Sequence, residues 1–323
     1  MSAESRTVAV IGQVIASLGS VNDVMPLTGG MFASTYRVVL DSGATVVVKL
    51  TRADPSGLCQ YERGIARTEA QTYRILAHHG LPVPELLHTD FSQKLVAADV
   101  VVTRHLDGEP WNERAMDDAS VARANRGLGA LMSELHRIHP PAFGYPAVEA
   151  SMQRSTWRSA FRAMVDGILA DADSVGVVIP AARVRAAMSR YADALDQVIR
   201  PSLVHADLWP ANVFLDDQDR IVGLIDAERT IWGDPLLELV GADQFGLWDV
   251  TPELLAGNTA AGGSLERELA TAGGAVRFAL YRLYYALILV TEIDVRGYSE
   301  DWVPRHRASA HALLEAVLAR LGV

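Results

Sequence analysis

Leu203-Val204-His205-Ala206-Asp207-Leu208-Trp209-Pro210-Ala211-Asn212-Val213-Phe214-Leu215 is the stretch on which the reading turns. It has the form H-x-D-x-x-x-x-N and runs into a short apolar strand. Asp216-Asp217-Gln218-Asp219 follows as a turn, and Ile221 to Ile225 as a second strand with Asp226 at its end. Such a hairpin brings Asn212 and Asp226 close together and leaves Asp207 nearby on the loop. Phosphoryl transfer asks a protein mainly for positioning and charge neutralisation. A carboxylate must orient the proton of the attacking hydroxyl, and hard oxygen ligands must hold Mg²⁺ against the phosphates. Asp207 suits the first role, Asn212 and Asp226 the second.

Upstream, the apolar run Val46-Val47-Val48 leads into Lys49. Only Lys49 and Lys94 are lysines in a chain whose basic residues are otherwise arginine. A lysine kept within an apolar strand therefore calls for a chemical reason. Before it, Gly29-Gly30 leads into an alternating strand, Tyr36 to Leu40, and Asp41-Ser42-Gly43 is a turn. A helix is expected from about Arg63 to His79, closed by Gly80 and Pro82, and further strands at Leu86–His88 and Leu95–Thr103. Residues 7–19 read as a helix. After Gly108-Glu109-Pro110 the pattern becomes helical over 117–138, 151–171, 180–199 and from 235 onward, with a Gly/Ala-rich interruption at 256–264. The boundary is expected near residue 105, dividing a β-rich part, 1–105, from a mainly helical part, 106–323.

The catalytic-loop segment resembles that of the aminoglycoside phosphotransferase (choline kinase-like) family, relatives of the protein kinases. Ile225-Asp226-Ala227-Glu228 and Gly233-Asp234-Pro235 match the same family, as does Gly80-Leu81-Pro82-Val83-Pro84. The resemblance runs from about residue 25 to 240. It implies an α+β, protein-kinase-like two-lobed fold, with residues 1–105 as a nucleotide-binding lobe and 106–323 carrying the catalytic loop and substrate-binding helices. It implies ATP and Mg²⁺ as cofactors. By the same resemblance Asp207 is the catalytic base, with His205 fixing its loop. Asn212 and Asp226 are metal ligands. Lys49 meets the ATP phosphates, paired with Glu69 in preference to Glu62. Gly29, Gly30 and Ser34 belong to a loop over the phosphates, in which Ala33 departs from the family's frequent asparagine. Arg104 and Leu106 lie in the hinge whose backbone meets adenine.

Composition narrows the partners. The chain of 323 residues has a formal charge of −10, half of its residues are hydrophobic, and Cys59 is its one cysteine. No internal disulfide is possible, and with neither a secretory leader nor a membrane span in view a cytoplasmic enzyme is expected. The acidic balance argues against nucleic acid or an anionic membrane as partner and favours a cationic or neutral ligand. From Glu228 to Val323 there are 13 acidic residues against 8 basic ones. Asp243, Asp249, Glu253, Glu292, Asp294, Glu300 and Asp301 are thus candidates to meet substrate amines. The leading expectation is a kinase acting on a hydroxyl of an aminoglycoside-like antibiotic. A metabolic kinase for an amino sugar, choline-like alcohol, ketosamine or homoserine-like compound is the alternative. A catalytically inactive nucleotide-binding scaffold is a remote third, since Lys49, Asp207, Asn212 and Asp226 are all present.

Overall fold

The computed structural model describes residues 3–27, 33–52, 54 and 56–323. Gly29 and Gly30 lie outside the described residues. In chain order the β-rich part holds α1 (Ala3–Val14), β1 (Val21–Leu27), β2 (Ser34–Leu40), β3 (Thr45–Arg52), α2 (Ile65–His78), β4 (Leu86–Asp90) and β5 (Ala98–Arg104). The five strands form one antiparallel sheet in the order β1-β2-β3-β5-β4. The alternation along β3 assigns its two faces. Val46 and Val48 point into an apolar cluster with Ile11, Val14 and Ile15 from α1 and its end, and with Val100 and Val102 of β5. Lys49 therefore falls on the opposite face, where Val101, its cross-strand partner, packs against Ala66 and Ala70 of α2.

The sequence pattern did not reveal β1. Asn22, Asp23 and Pro26 do not read as a strand, yet β1 pairs only with β2 and is an edge. An edge tolerates proline because one row of its backbone groups faces solvent.

The remainder is mainly helical, threaded by two small sheets. Its elements are β6 (Glu109–Pro110), α3 (Asp118–Leu135), α4 (Trp157–Ser174), α5 (Ala181–Arg190), α6 (Ala192–Leu195), β7 (Ser202–Val204), β8 (Val213–Leu215), β9 (Ile221–Leu224) and β10 (Ile231–Gly233). They are followed by α7 (Leu236–Ala242), α8 (Pro252–Ala260), α9 (Leu265–Leu269), α10 (Ala272–Val295) and α11 (Val303–Arg320). Strands β6, β8 and β9 form one sheet, and β7 pairs with β10. The fold is the α+β, protein-kinase-like arrangement. Helix α10 is buried along most of its length, from Arg277 to Ile293 without a break. Among the described residues no helix is long and apolar enough to cross a membrane.

Several helix boundaries differ from the sequence expectation: α1 is Ala3–Val14 rather than 7–19, and 180–199 divides into α5 and α6. Helix α4 begins at Trp157 rather than near 151, because the Thr156 hydroxyl accepts the Ser159 N–H and caps it. The Gly/Ala-rich stretch at 256–264 is not wholly a break, since α8 continues through Gly257 to Ala260. The glycine is there for packing. A Cβ on Gly257 would sit 2.1 Å from the Arg126 carbonyl oxygen, and one on Gly129 of α3 would sit 1.9 Å from that of Leu254. Helices α3 and α8 thus touch backbone to backbone.

Such a contact cannot accept a methyl group without parting the helices. Gly257→Ala is expected to lower unfolding stability by about 2 kcal/mol or more, read from the urea midpoint. An unchanged midpoint would show that α3 and α8 are looser than described.

Candidate active site

Four side chains from three elements converge on one point. Lys49 Nζ of β3 lies 3.3 Å from Glu69 Oε1 on α2, 2.5 Å from Asp226 Oδ1 and 2.5 Å from Glu228 Oε2. Glu62, the rival partner for the lysine, instead pairs with Arg296 and accepts the Cys59 N–H. Tyr73, one turn beyond Glu69 on α2, donates its hydroxyl to Glu69 (3.1 Å) and accepts the Asp226 N–H (3.0 Å). It ties the helix to the turn that carries Asp226.

Charge around the lysine is unequal to its surroundings. Burial works against the Lys49 ammonium, but Asp226, Glu228 and Glu69 outweigh it and hold its pKa well above the usual lysine value. Three carboxylates around one ammonium cannot all ionise freely. Burial, together with the charge of Asp226, pushes Glu228 up to about 8. Burial also raises Glu69. At Asp226 burial pushes upward, but the charge and hydrogen bond of Lys49, together with Arg229, outweigh it and hold the carboxyl below its usual range. Asp226 is also the open member of the group: its side chain is 35% exposed, against 4% for Glu69 and 8% for Glu228.

On the loop between β7 and β8, Asp207 is buried and held from two sides. Asn212 Nδ2 donates to its Oδ2 (3.0 Å) and to its backbone carbonyl (2.9 Å). Gln244 Nε2, beyond the end of α7, donates to its Oδ1 (2.5 Å). Burial pushes the Asp207 carboxyl up to about 7, against the pull of Arg229. A carboxylate near neutrality is suited to accepting a proton at physiological pH. With its amide nitrogen committed to Asp207, Asn212 has an oxygen with no hydrogen-bond donor among the described residues. The Ile225 N–H, next to Asp226, donates to the Asn212 carbonyl at 3.0 Å. An amide oxygen and a partly exposed carboxylate therefore stand on adjoining backbone.

This donor set suits magnesium. Both candidate donors are hard oxygens, and among the described residues no group of three or more His, Cys, Asp or Glu side chains forms a cage. Mg²⁺ takes one or two protein oxygens and completes its octahedron with phosphate and water.

The loop is fixed from below. The His205 and Ala206 N–H groups each donate to Glu238 of α7, to its two oxygens, at 2.8 Å. The Tyr285 hydroxyl donates to the Ala206 carbonyl. A Cβ on Gly241 would lie 2.4 Å from that same carbonyl group, so α7 presses directly on the loop. Ala206 (φ 65°) and Asp226 (φ 62°) are both in the left-handed region. Non-glycine residues hold such angles only where surrounding structure dictates them, at a cost of about 1–3 kcal/mol each. His205 is fully buried, and neither ring nitrogen has a hydrogen-bond partner among the described residues. Burial lowers its pKa and keeps the imidazole neutral. Its ring does not reach solvent.

The other expected residues lie at the rim. Ser34 opens β2, opposite Leu50 and one residue from the Thr35–Lys49 pair. The Arg104 N–H is taken by the Glu85 carbonyl at 2.9 Å and its side chain by the Glu85 carboxylate at 2.7 Å. The Arg104 backbone N–H is thus committed, and a nucleobase could meet the main chain at that residue only through its carbonyl. The His105 N–H is taken by Thr45. Leu106 is half-buried, and its N–H joins none of the hydrogen bonds among the described residues. The N–H groups of Asp107 and Gly108 join none of them either, so the backbone over 106–108 is open to a nucleobase.

Sequence reasoning missed Tyr73, Gln244 and Glu238. Tyr73 carried a usable signal, since it follows Glu69 by one helical turn. Gln244 carried none, being 37 residues from Asp207 in a loop without a motif.

The phosphotransferase enzyme family model matches residues 23–272, more than three quarters of the chain. A comparison with curated proteins gave no match. Among solved structures, aminoglycoside phosphotransferase APH(4)-Ia superposes with a TM-score of 0.65 at 20% identity, over 98% of this chain and 99% of that one. A putative fructosamine-3-kinase from Thermobifida fusca YX-ER1 gives 0.64 at 21%, over 95% and 98%. The macrolide 2'-phosphotransferase MphH from Brachybacterium faecium gives 0.58 at 19%, over 94% and 97%.

Glu238→Gln replaces one of the two oxygens beneath the loop with a donor, leaving a buried N–H facing another N–H. It is expected to cost about 1–3 kcal/mol of unfolding stability, measured by urea denaturation. A change within 0.5 kcal/mol (about the scatter of a surface substitution) would show that the clamp is not needed.

Proposed function

Because the chain belongs to the phosphotransferase enzyme family, we propose that it transfers the γ-phosphoryl group of ATP, with magnesium, to a hydroxyl of a small molecule. The observation that carries the reading is the meeting of the Lys49–Glu69 pair with Asp226, beside a buried Asp207 whose two oxygens are both held by side-chain amides. Lys49 supplies positive charge for phosphate oxygens, and Glu69, braced by Tyr73, keeps its ammonium in place. Leu106 offers its backbone to the nucleobase. Asn212 Oδ1 and the exposed oxygen of Asp226 would hold the metal. Magnesium, when bound, offsets charge on the transferring phosphate. Asp207 accepts the proton of the attacking hydroxyl, and Asn212 and Gln244 fix the direction in which its oxygens face. Ser34 stands at the end of the loop proposed to cover the phosphates, together with Gly29 and Gly30.

An inactive scaffold fits poorly, since every polar group that this chemistry needs is present and oriented. An aminoglycoside-like acceptor, the leading expectation, would need free carboxylates for its ammonium groups. Glu292 is bound by Arg229, with Arg296 at 3.6 Å, Asp294 by Arg307, and Asp243 lies 3.9 Å from Arg282. Asp249, Glu253, Glu300 and Asp301 have no such partner among the described residues and are the carboxylates this reading rests on. A metabolic alcohol makes no such demand.

Asp207→Asn keeps the shape but removes the base. Substrate-dependent ADP release should fall about 100-fold or more, while Mg-ATP binding by calorimetry stays within a few-fold of wild type. Turnover near the wild-type rate would remove Asp207 from the base role. Lys49→Met should do the reverse at the binding step and weaken Mg-ATP at least tenfold. Unchanged nucleotide affinity would exclude Lys49 from phosphate contact.

A further inference from the structure

A groove of about 610 Å³ runs between the loop after α7 and one face of α11. Its walls include Phe245, Leu247, Trp302, Arg305, His306 and Ser309. Phe245, Leu247 and Trp302 are large apolar side chains left 37–44% exposed, in a chain that buries most of its others. Phe245 and Trp302 both stand edge-on to the His306 ring, at 5.1 and 5.5 Å, so the aromatic wall is one packed unit.

The loop is not loosely hung. Arg282, buried within α10, donates to the backbone carbonyls of Asp243 and Leu247 and so pins both ends of the 243–247 segment. Gln244 of that segment holds Asp207, and Phe245 is the next residue. From the other side, α10 touches the catalytic loop where the Tyr285 hydroxyl donates to the Ala206 carbonyl, and the chain leads on from the end of α10 through Tyr298 to Trp302, whose rings meet edge to face. Both walls of the groove thus continue into elements that reach the catalytic loop.

The chemistry of the lining is one-sided. It has no carboxylate among the described residues; its one permanent charge is the Arg305 guanidinium, because burial lowers the pKa of His306. An ammonium-rich molecule would find no counter-ion there and would meet a like charge. The volume fits a drug-sized ligand, and ligand clefts of this size are mostly apolar with few polar groups. We infer that the groove receives the body of the phosphoryl acceptor, and that the acceptor is a hydroxyl-bearing molecule with a broad apolar face and at most one amine, not a polycation. This rests on the phosphotransferase reading and names its substrate class.

The test separates binding from turnover. The probe is 8-anilinonaphthalene-1-sulfonate, an apolar anion suited to the aromatic wall and Arg305, read by its fluorescence. Erythromycin and chloramphenicol serve as apolar-bodied alcohols, kanamycin and hygromycin B as polycations. The expected result is that the probe binds and is displaced by an apolar-bodied alcohol but by neither polycation. Trp302→Ala, which removes a wall, and Ser309→Trp, which fills the groove, should each weaken binding at least tenfold. Ser309 is exposed and in none of the ring contacts, so its variant keeps the test readable if Trp302→Ala also loosens the packing. The same variants should raise the acceptor's KM for ADP release at least tenfold and leave the KM for ATP within twofold. Displacement by kanamycin, variants that bind like wild type, or an unmoved acceptor KM would each overturn the inference. So would a dimer in sedimentation that Trp302→Ala dissolves, which would assign the groove to a second copy. Intact Mg-ATP binding with an empty groove sinks the inference alone; absence of Mg-ATP binding sinks the phosphotransferase reading as well.

Discussion

One ammonium group joins the parts of this molecule. Lys49 reaches out of the sheet to Glu69 on α2 and to Asp226 and Glu228 on the turn after β9. Without that charge two buried carboxylates and a partly exposed one would face each other with no counter-charge between them, which raises the cost of ionising any of them. The uneven outcome, Asp226 held ionised and Glu228 pushed towards protonation, follows from burial and geometry together. The open, ionised carboxylate is the one with a face available to a cation.

The second constraint is the rigidity beneath Asp207. Glu238, Tyr285 and the bare α-carbon of Gly241 all bear on residues 205 and 206. They account for an alanine held in the left-handed region, where it would not rest by itself. A carboxylate in the role proposed for Asp207 has to face a hydroxyl in one direction, which a fixed loop provides. The cost of the strain is met by backbone hydrogen bonds to α7 and α10, which are themselves core elements.

A buried ionic cluster lies beside this site. Tyr61 donates to Glu292, which also binds Arg229, while Arg296 pairs with Glu62. It links the turn before α2 to α10 and so couples the Glu69 helix to the helical core. Groups buried this way are strongly destabilising to break singly, whatever their net contribution. It also explains why acidity counted along the sequence overstates the negative surface: several carboxylates are already neutralised by arginines far away in the chain.

Local patterns in the sequence determined much of the fold and the centre of the site. Alternation in β2 and β3, helical spacing in α2 and α3, and the H-x-D-x-x-x-x-N loop with its following hairpin are short-range features, and short-range sterics and hydrophobic periodicity fix them. They sufficed to bring Asp207, Asn212 and Asp226 to one place and to single out Lys49. Edge strand β1 escaped because its residues carry no strand signal and its pairing is supplied by β2. Tertiary structure alone decided the rest. Gln244 meets Asp207, Glu228 meets Lys49, Arg104 loses its N–H to Glu85, and Phe245 and Trp302 wall one groove. Each depends on residues brought together by helix packing, and such pairings leave no period or spacing in the chain from which to read them.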